Sequence, residues 1–288
     1  MPIVSHKPAY WITVRDNFWN FLLKEQGIAR EYEKTVYQAP VVKSVGLTKT
    51  VAAGDIHASG IVYDTTQRVS GGEISLGAVA LDRELLDKAG GCLVEGGFSY
   101  DNTQDIGGEF AFGYYLDESD GNKVYYWHPR CKLVPSNENV ETSTDAAIDP
   151  QRDYTIKCMP TSEGIWRVRY YTRDVAEPLS VEQFFSYCRY TSNIQAVDVT
   201  ITAPQASTAC TATVVYADDA EPVTPTVAYQ WYQSETADGK FTAISGANSD
   251  SYTPDAEMAN KYIQCEAIVS GSAVGYVVSS PQMVNTGA

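Results

Sequence analysis

The sequence has few basic residues, few histidines and no long apolar run. Its 288 residues include 21 Lys and Arg against 36 Asp and Glu, a formal net charge of -15. Binding of nucleic acid needs clustered basic side chains that replace phosphate counterions, so this composition argues against a DNA-binding or RNA-binding surface. No stretch reaches the roughly 20 apolar residues of a membrane-spanning helix, and the first residues lack the apolar run of a signal peptide. The sequence therefore predicts a soluble protein that folds in a cytoplasm.

Motifs for catalysis and metal binding are also missing. There is no G-x-x-x-x-G-K-[ST], no G-x-S-x-G and no H-E-x-x-H. Of the three isolated histidines, His128 ends an aromatic strand, where a packing role is a better interpretation than that of a catalytic base. We expect no catalytic residue, no metal site and no cofactor. Without a C-x-x-C pair or a histidine at zinc-ligand spacing, we expect buried free thiols at Cys92, Cys131, Cys158, Cys188, Cys210 and Cys265.

Two aromatic-rich segments are the most informative feature that is present. Residues 109–116 and 123–133 flank a polar turn at 117–122, and the alternation of large and small residues predicts a β-hairpin. One thin sheet cannot bury this much aromatic surface, so the second face must meet another part of the chain or a neighbouring subunit. The candidate subunit contacts are Phe110, Phe112, Tyr114 and Tyr126.

Further strands are predicted at residues 41–47, 60–63 and 72–80. In the last of these, the period of two separates an apolar face from a polar face. The predicted apolar face consists of Ile74, Leu76, Ala78 and Ala80, and the polar face of Glu73, Ser75 and Gly77. Short strands are also predicted at 154–158 and 165–171. The segment 18–23 fits either one amphipathic helical turn or a strand.

Two helices and one long loop complete the first part of the chain. Asp82 can cap a helix that Gly90 and Gly91 end. A second helix is predicted from Ser180 to Tyr190, where Ser180 and Gln183 have the capping-box spacing. Between them, residues 136–153 are polar and acidic and predict a mobile loop.

Composition changes near residue 194, which predicts domains at 1–194 and 195–288. A hydrophobic fraction of 44% is enough to fill a core in each. In the second domain, Cys210, Trp231 and Cys265 have the order and spacing of an immunoglobulin core. This part resembles the bacterial and phage type of Ig-like domain. A disulfide between Cys210 and Cys265 is the alternative to two free thiols.

The first 175 residues resemble the tail tube protein, or major tail protein, of bacteriophages with long non-contractile tails. The resemblance rests on five segments in order, at residues 39–50, 60–63, 72–86, 110–135 and 165–170. The sequence departs from the family in residues 16–30, which look like an insertion, and in the final helix.

The resemblance implies a mainly β fold, namely a tail-tube β-barrel or sandwich with a flanking helix, followed by the Ig-like sandwich. It implies a virion protein without catalysis, assembled in the bacterial cytoplasm into hexameric rings that stack into a hollow tube. The implied partners are copies of the chain itself, tail tip and tail terminator proteins, and DNA that passes without specific binding. The Ig-like domain would project outward, with a host cell surface as an open possibility, and no membrane is implied.

Two residue-level expectations follow. Carboxylates that line such a tube would repel passing DNA, and Glu73 and Ser75 are the lumen-facing candidates. Exposure of Glu73 to bulk solvent is the equally weighted alternative. We expect the loop at 136–153 to contact the next ring. A different class of function, a carbohydrate-binding or adhesion module of a bacterial surface, would use exposed hairpin aromatics to stack on sugars.

Overall fold

The computed structural model describes residues 9–58, 61–135 and 151–286 and has a mainly β fold of sandwich and barrel type with few helices. In chain order, the elements up to residue 190 are β1 Trp11–Gln26, β2 Ala29–Tyr32, β3 Tyr37–Ala39, β4 Val42–Ala58, β5 Ile61–Ala78, α1 Arg83–Gly90, β6 Leu93–Glu95, β7 Phe98–Tyr100, β8 Phe110–Glu118, β9 Lys123–Val134, β10 Arg152–Cys158, β11 Val168–Tyr171 and α2 Val181–Phe184. The remaining strands are β12 Ile194–Ile201, β13 Cys210–Tyr216, β14 Thr226–Ser234, β15 Thr242–Ala243, β16 Ser251–Tyr252, β17 Tyr262–Ser270, β18 Ala273–Val278 and β19 Gln282–Met283.

The chain divides into two compact units. Unit 1 comprises Met1–Leu22 and Thr35–Tyr190, and unit 2 comprises Leu23–Lys34 and Thr191–Ala288. The predicted division at 194 therefore needs a correction, because the segment 23–34 belongs with the carboxy-terminal unit. The physical reason lies in the contacts of this segment within unit 2, which are described below.

Unit 1 is built on one curved sheet that forms half of a barrel. The sheet has the order β2-β1-β8-β9-β10-β5-β4, of which β2 belongs to unit 2. Neighbouring strands from β1 to β4 are antiparallel, and β3 and β11 add to β1 and β9. The concave core contains aromatic and aliphatic side chains from all the main strands, and Leu85 and Ala89 of α1 belong to the same cluster. Burial of this apolar surface is the main force that holds the sheet and helix together.

The alternation predicted for residues 72–80 is present in β5. Ile74, Leu76 and Ala78 are fully buried, whereas Glu73 and Ser75 are exposed. Two positions differ: Gly77 on the polar face is buried beneath polar side chains of neighbouring strands, and Ala80 is exposed because β5 ends at Ala78.

Helix α1 begins and ends where the sequence predicts. The Asp82 side chain accepts a hydrogen bond from the Glu84 amide at 2.8 Å. Gly91 ends the helix with a φ of 80°, a left-handed conformation that glycine adopts at little cost.

Helix α2 has the predicted capping box but is much shorter than predicted. Ser180 and Gln183 exchange both hydrogen bonds, yet the helix ends at Phe184. The Gln183 carbonyl accepts hydrogen bonds from the side chains of Ser186 and Arg189 instead of continuing a helical ladder. Phe184, Phe185 and Tyr190 are all buried, which one regular helix face cannot achieve.

The remaining local expectations have mixed outcomes. The ambiguous segment 18–23 is part of strand β1. The predicted strands at 41–47, 60–63 and 72–80 are parts of the long hairpin β4–β5. The predicted loop at 136–153 lies outside the described residues except for its last three, and β10 already begins at Arg152.

Unit 2 has an immunoglobulin-like sandwich. Its strands follow the order β15-β14-β17-β18-β12-β13-β16, in which the parallel pair of β18 and β12 joins the antiparallel strands on either side. Trp231 is fully buried and lies directly opposite Cys265 in the register of β14 and β17. The predicted inward parity of β17 is confirmed, because its four core residues are fully buried: Ile263, Cys265, Ala267 and Val269.

Residues 23–34 form a hairpin around Gly27 that packs within unit 2. Lys24 forms an ion pair with Glu266 at 3.4 Å and lies 4.3 Å from the ring centroid of Tyr276. At the other end of the hairpin, Lys34 pairs with Asp198 at 2.6 Å. These contacts explain why residues 23–30 of the apparent insertion belong to the carboxy-terminal unit, whereas residues 16–22 belong to unit 1.

The first prediction concerns the segment 23–34. In a chain that ends at Tyr190, this hairpin loses all its partners on β12, β17 and β18. We expect trypsin to cleave after Arg30, a residue that is 2% exposed in the whole chain, while the core of unit 1 stays resistant. Mass spectrometry of timed digests measures the effect. Equal resistance at Arg30 in the whole and the shortened chain would show that the hairpin does not depend on unit 2.

The second prediction concerns close packing at Gly113 in β8. A Cβ atom there would lie 2.7 Å from the Phe185 ring and 2.9 Å from the Trp127 ring. Gly113→Ala should lower the free energy of unfolding of unit 1 by about 1–3 kcal/mol because the rings must move. Gly46→Ala is the matched control, since its nearest contact is an ordinary 3.8 Å. Urea denaturation compares the two, and an equal effect would contradict the packing account.

The third prediction concerns Glu31. Burial raises its pKa from 4.5 to about 7, although Lys24 opposes the shift. Between these values the folded protein holds a proton that the unfolded chain has released, so the free energy of unfolding of unit 2 falls as pH rises from 4.5 to 7. Glu31→Gln removes this contribution. Urea denaturation across this pH range should show a steeper fall for the native sequence than for the variant, and parallel curves would exclude the effect.

Candidate assembly surfaces

The four aromatic residues predicted to contact a neighbouring subunit lie in the interior of unit 1. Phe110 and Phe112 are fully buried, and Tyr114 and Tyr126 are each 5% exposed. The Tyr114 and Tyr126 rings stack with centroids 4.8 Å apart, and Trp19 lies 4.4 Å from Phe110. The prediction of a subunit contact through these side chains is therefore wrong, because the core of the same chain covers them.

The opposite face of the β8–β9 hairpin is also covered by the same chain. Phe184 lies 5.0 Å from the Tyr125 ring, and Phe185 lies 5.3 Å from the Trp127 ring. Phe185 also stacks on Phe18 of β1 at 3.9 Å. The sequence left open whether another part of the chain or a neighbouring subunit covers the second face of the hairpin. In the structure, another part of the same chain covers it.

The lumen candidates Glu73 and Ser75 point to the exposed face of β5. Glu73 lies opposite Thr48 of β4 on one side and Lys157 of β10 on the other. Their exposure agrees with the predicted polar face. A position inside a channel stays a prediction.

Charges of both signs share this face. Lys157 lies opposite Glu73, and Lys132 lies opposite Lys157 on the next strand. Asp153, Thr155 and Lys157 alternate with buried residues along β10 and therefore lie on the same face. Asp153 is exposed there. The described residues of this face therefore carry a mixture of charges, and a channel lined by carboxylates stays a prediction.

The sheet of unit 1 has a long terminal strand that the sequence did not predict as such. Among the described residues, β4 is the last strand in the sheet order and pairs on one side only, with β5. Its 17 residues make it far longer than an ordinary edge strand. Thr48, Thr50 and Val51 are β-branched, and this was the signal that could have extended the predicted strand beyond residue 47.

The distal parts of β4 and β5 form a ribbon that is exposed on both faces. Residues 48–54 of β4 and 67–70 of β5 are all exposed, and Val51 and Val69, which pair across the ribbon, are 50% and 37% exposed. A two-stranded ribbon without a packed face is only marginally stable in water. This ribbon is thus a candidate contact surface.

A small apolar hairpin is a second exposed element. Strands β6 and β7 join through Gly96 and Gly97, whose φ angles of 58° and 85° fit a two-residue turn of type I′. Phe98 is 65% exposed, and Leu93 is 58% exposed. The Gly-Gly pair between apolar residues was the sequence signal for this hairpin.

The sequence-predicted Ig core residues come together as expected. Cys210, Trp231 and Cys265 belong to one buried cluster, and both thiols are free. The Cys210 thiol donates to the Tyr252 carbonyl at 3.1 Å. Burial raises the pKa of Cys265 to about 12, so its thiol stays protonated at neutral pH.

One group of potential metal ligands occurs among the described residues. Ligand atoms of Cys92, Asp101 and Asp105 lie within 4.8 Å of one another. The Cys92 thiol donates to Asp101 at 3.0 Å, and this hydrogen bond and burial raise the pKa of Cys92 to about 11. The contact between Cys92 and Asp101 is thus a local hydrogen bond in this structure.

No protein-family model matches this chain, and a search of curated proteins also finds no match. In the part of the chain that the structure describes, no helix combines the length and the apolarity needed to span a membrane.

Proposed function

We propose that this chain is the non-enzymatic structural subunit of a phage tail tube, which assembles as hexameric rings that stack into a hollow conduit for DNA. In this proposal it belongs to the virion and assembles in the host cytoplasm, and its tube meets tail tip and tail terminator proteins at its two ends. The Ig-like unit decorates the exterior. The family resemblance in the sequence suggests the class, and the edge geometry of unit 1 supports it.

The observation that carries the proposal is the relative direction of β4, the terminal strand at one end of the sheet, and of the first residues of β1 near the other end. The six strands from β1 to β4 in the sheet order alternate in direction. Strands β1 and β4 therefore run in opposite directions. Residues 11–15 of β1 pair only with β8 among the described residues. If subunits are related by rotation, β4 of one copy meets β1 of the next in the antiparallel sense that the sheet already has.

Ring closure would also remove a physical problem of the single chain. A long, unprotected edge strand offers its backbone groups to any other chain and favours aggregation. A closed ring pairs every such edge, as in a barrel. The exposed β4–β5 ribbon would gain a packed face from the same neighbour.

The test is electron microscopy of the native chain and of a variant that carries a charged side chain on the ribbon. Negative staining of the purified chain should show rings or tubes of uniform width. Val51→Lys should abolish them, because a charged lysine on an edge strand opposes pairing. Its fold should persist, since substitutions at exposed positions usually change stability by no more than about 0.5 kcal/mol.

Val215→Lys in β13 is the matched control, because Val215 is also exposed but lies in the unit proposed to face outward. This variant should assemble like the native chain. A monodisperse monomer for the native chain under all conditions, including mixing with virion extract, would exclude the tube proposal. Equal assembly of both variants would exclude the role of the ribbon.

One argument for the alternative function, a carbohydrate-binding or adhesion module, does not hold. It relied on exposed aromatic side chains in the β8–β9 hairpin, and the aromatic side chains of that hairpin that would contact a sugar are mostly buried. Glycan binding by a stable monomer would favour this alternative over the tube.

A further inference from the structure

Two buried cysteines face each other across strands β9 and β10. Cys131 and Cys158 are directly opposite in the antiparallel register, and their sulfur atoms are 3.5 Å apart. The adjacent pair is hydrogen bonded, because the Met159 amide donates to the Arg130 carbonyl at 2.8 Å. Cys131 and Cys158 therefore occupy a non-hydrogen-bonded position, where side chains approach most closely. The expected Cα separation at such a position suits a disulfide.

The surroundings make the two sulfurs chemically different. The Cys131 thiol donates a hydrogen bond to the Cys158 sulfur, which lowers the pKa of Cys158 against the opposing effect of burial. The imidazole of His128 lowers that pKa further, and burial raises the pKa of Cys131. His128 is fully buried, and neither of its ring nitrogens has a hydrogen-bond partner among the described residues.

We propose that Cys131 and Cys158 form a redox modification site, in which hydrogen peroxide converts the two thiols into a cross-strand disulfide. The Cys158 thiol loses its proton, and the thiolate attacks one peroxide oxygen, which breaks the O–O bond. This gives a sulfenic acid on Cys158, and the released hydroxide takes up a proton to form water. The Cys131 sulfur then attacks the Cys158 sulfur, and the hydroxyl group leaves with the Cys131 proton as a second water. Two thiols are oxidised and one peroxide is reduced.

This inference does not depend on the tube proposal. Its consequence is local, since the bond would join β9 covalently to β10 in the middle of the sheet of unit 1. Both residues lie in the interior, and Cys158 is 2% exposed, so a small oxidant is a better substrate than a protein disulfide. The site therefore selects peroxide by size.

The experiment treats the whole folded chain with hydrogen peroxide, blocks remaining thiols with an alkylating reagent, and digests with pepsin at low pH. Mass spectrometry should find a peptide pair linked through Cys131 and Cys158 that has lost two hydrogen atoms. The same link should form in Cys92→Ser, the matched control for a thiol outside the pair. Cys131→Ser should instead leave Cys158 as a sulfenic acid, which dimedone traps.

Peptides that remain fully alkylated at Cys131 and Cys158, while Cys92 is oxidised, would overturn the proposal. A link from Cys158 to Cys188 instead of Cys131 would also overturn it. His128→Gln tests the effect of the imidazole: the link should still form, but more slowly, because without His128 the pKa of Cys158 is higher and less thiolate is present at neutral pH. An unchanged rate would exclude His128 from the reaction.

Discussion

Burial of the β8–β9 hairpin on both faces is the constraint on which the rest of unit 1 depends. One face contributes Phe110, Phe112 and Tyr126 to the concave core, and the other places Trp127 against Phe185. Each face needs its own cover, so the fold requires both the curved sheet and the carboxy-terminal segment after β11. Gly113 shows how close the second cover lies, because even one methyl group there would overlap two rings. The short α2 is a consequence, since the chain leaves the helix in order to bury Tyr190 as well.

Because the aromatic surface is used within the chain, contacts between copies must come from other features. The described surface offers the outer edge of β4, the exposed β4–β5 ribbon and the apolar β6–β7 hairpin. Edge pairing relies on backbone hydrogen bonds, which place few demands on side-chain sequence. This explains why a search for apolar side chains in the sequence found the core of the protein and missed its candidate contact surface.

The sequence predicts those elements whose boundaries depend on neighbouring residues. It does not predict the features that depend on contacts between distant parts of the chain. Ile74, Leu76 and Ala78 alternate with polar neighbours, and the caps of α1 are set within a few residues, so both were predictable. The end of α2 depends on packing against β8 and β9. The placement of residues 23–34 in unit 2 depends on Lys24 meeting Glu266, which is far away in sequence. Only a few β-branched residues marked the full length of β4.

The distribution of charge suggests a different reason why DNA would pass through such a tube without binding to its wall. A carboxylate opposite a lysine, as Glu73 is to Lys157, produces little field beyond a screening length of about 8–10 Å. This face would therefore bind phosphate weakly because its charges are balanced, without needing repulsion. Much of the acidic excess lies elsewhere: residues 201–288 contain nine acidic and two basic residues, a net charge of -7. If the Ig-like units decorate the exterior of such a tube, their like charge would keep them apart from one another and from other acidic surfaces, so the charge would serve the solubility of this unit more than the passage of DNA.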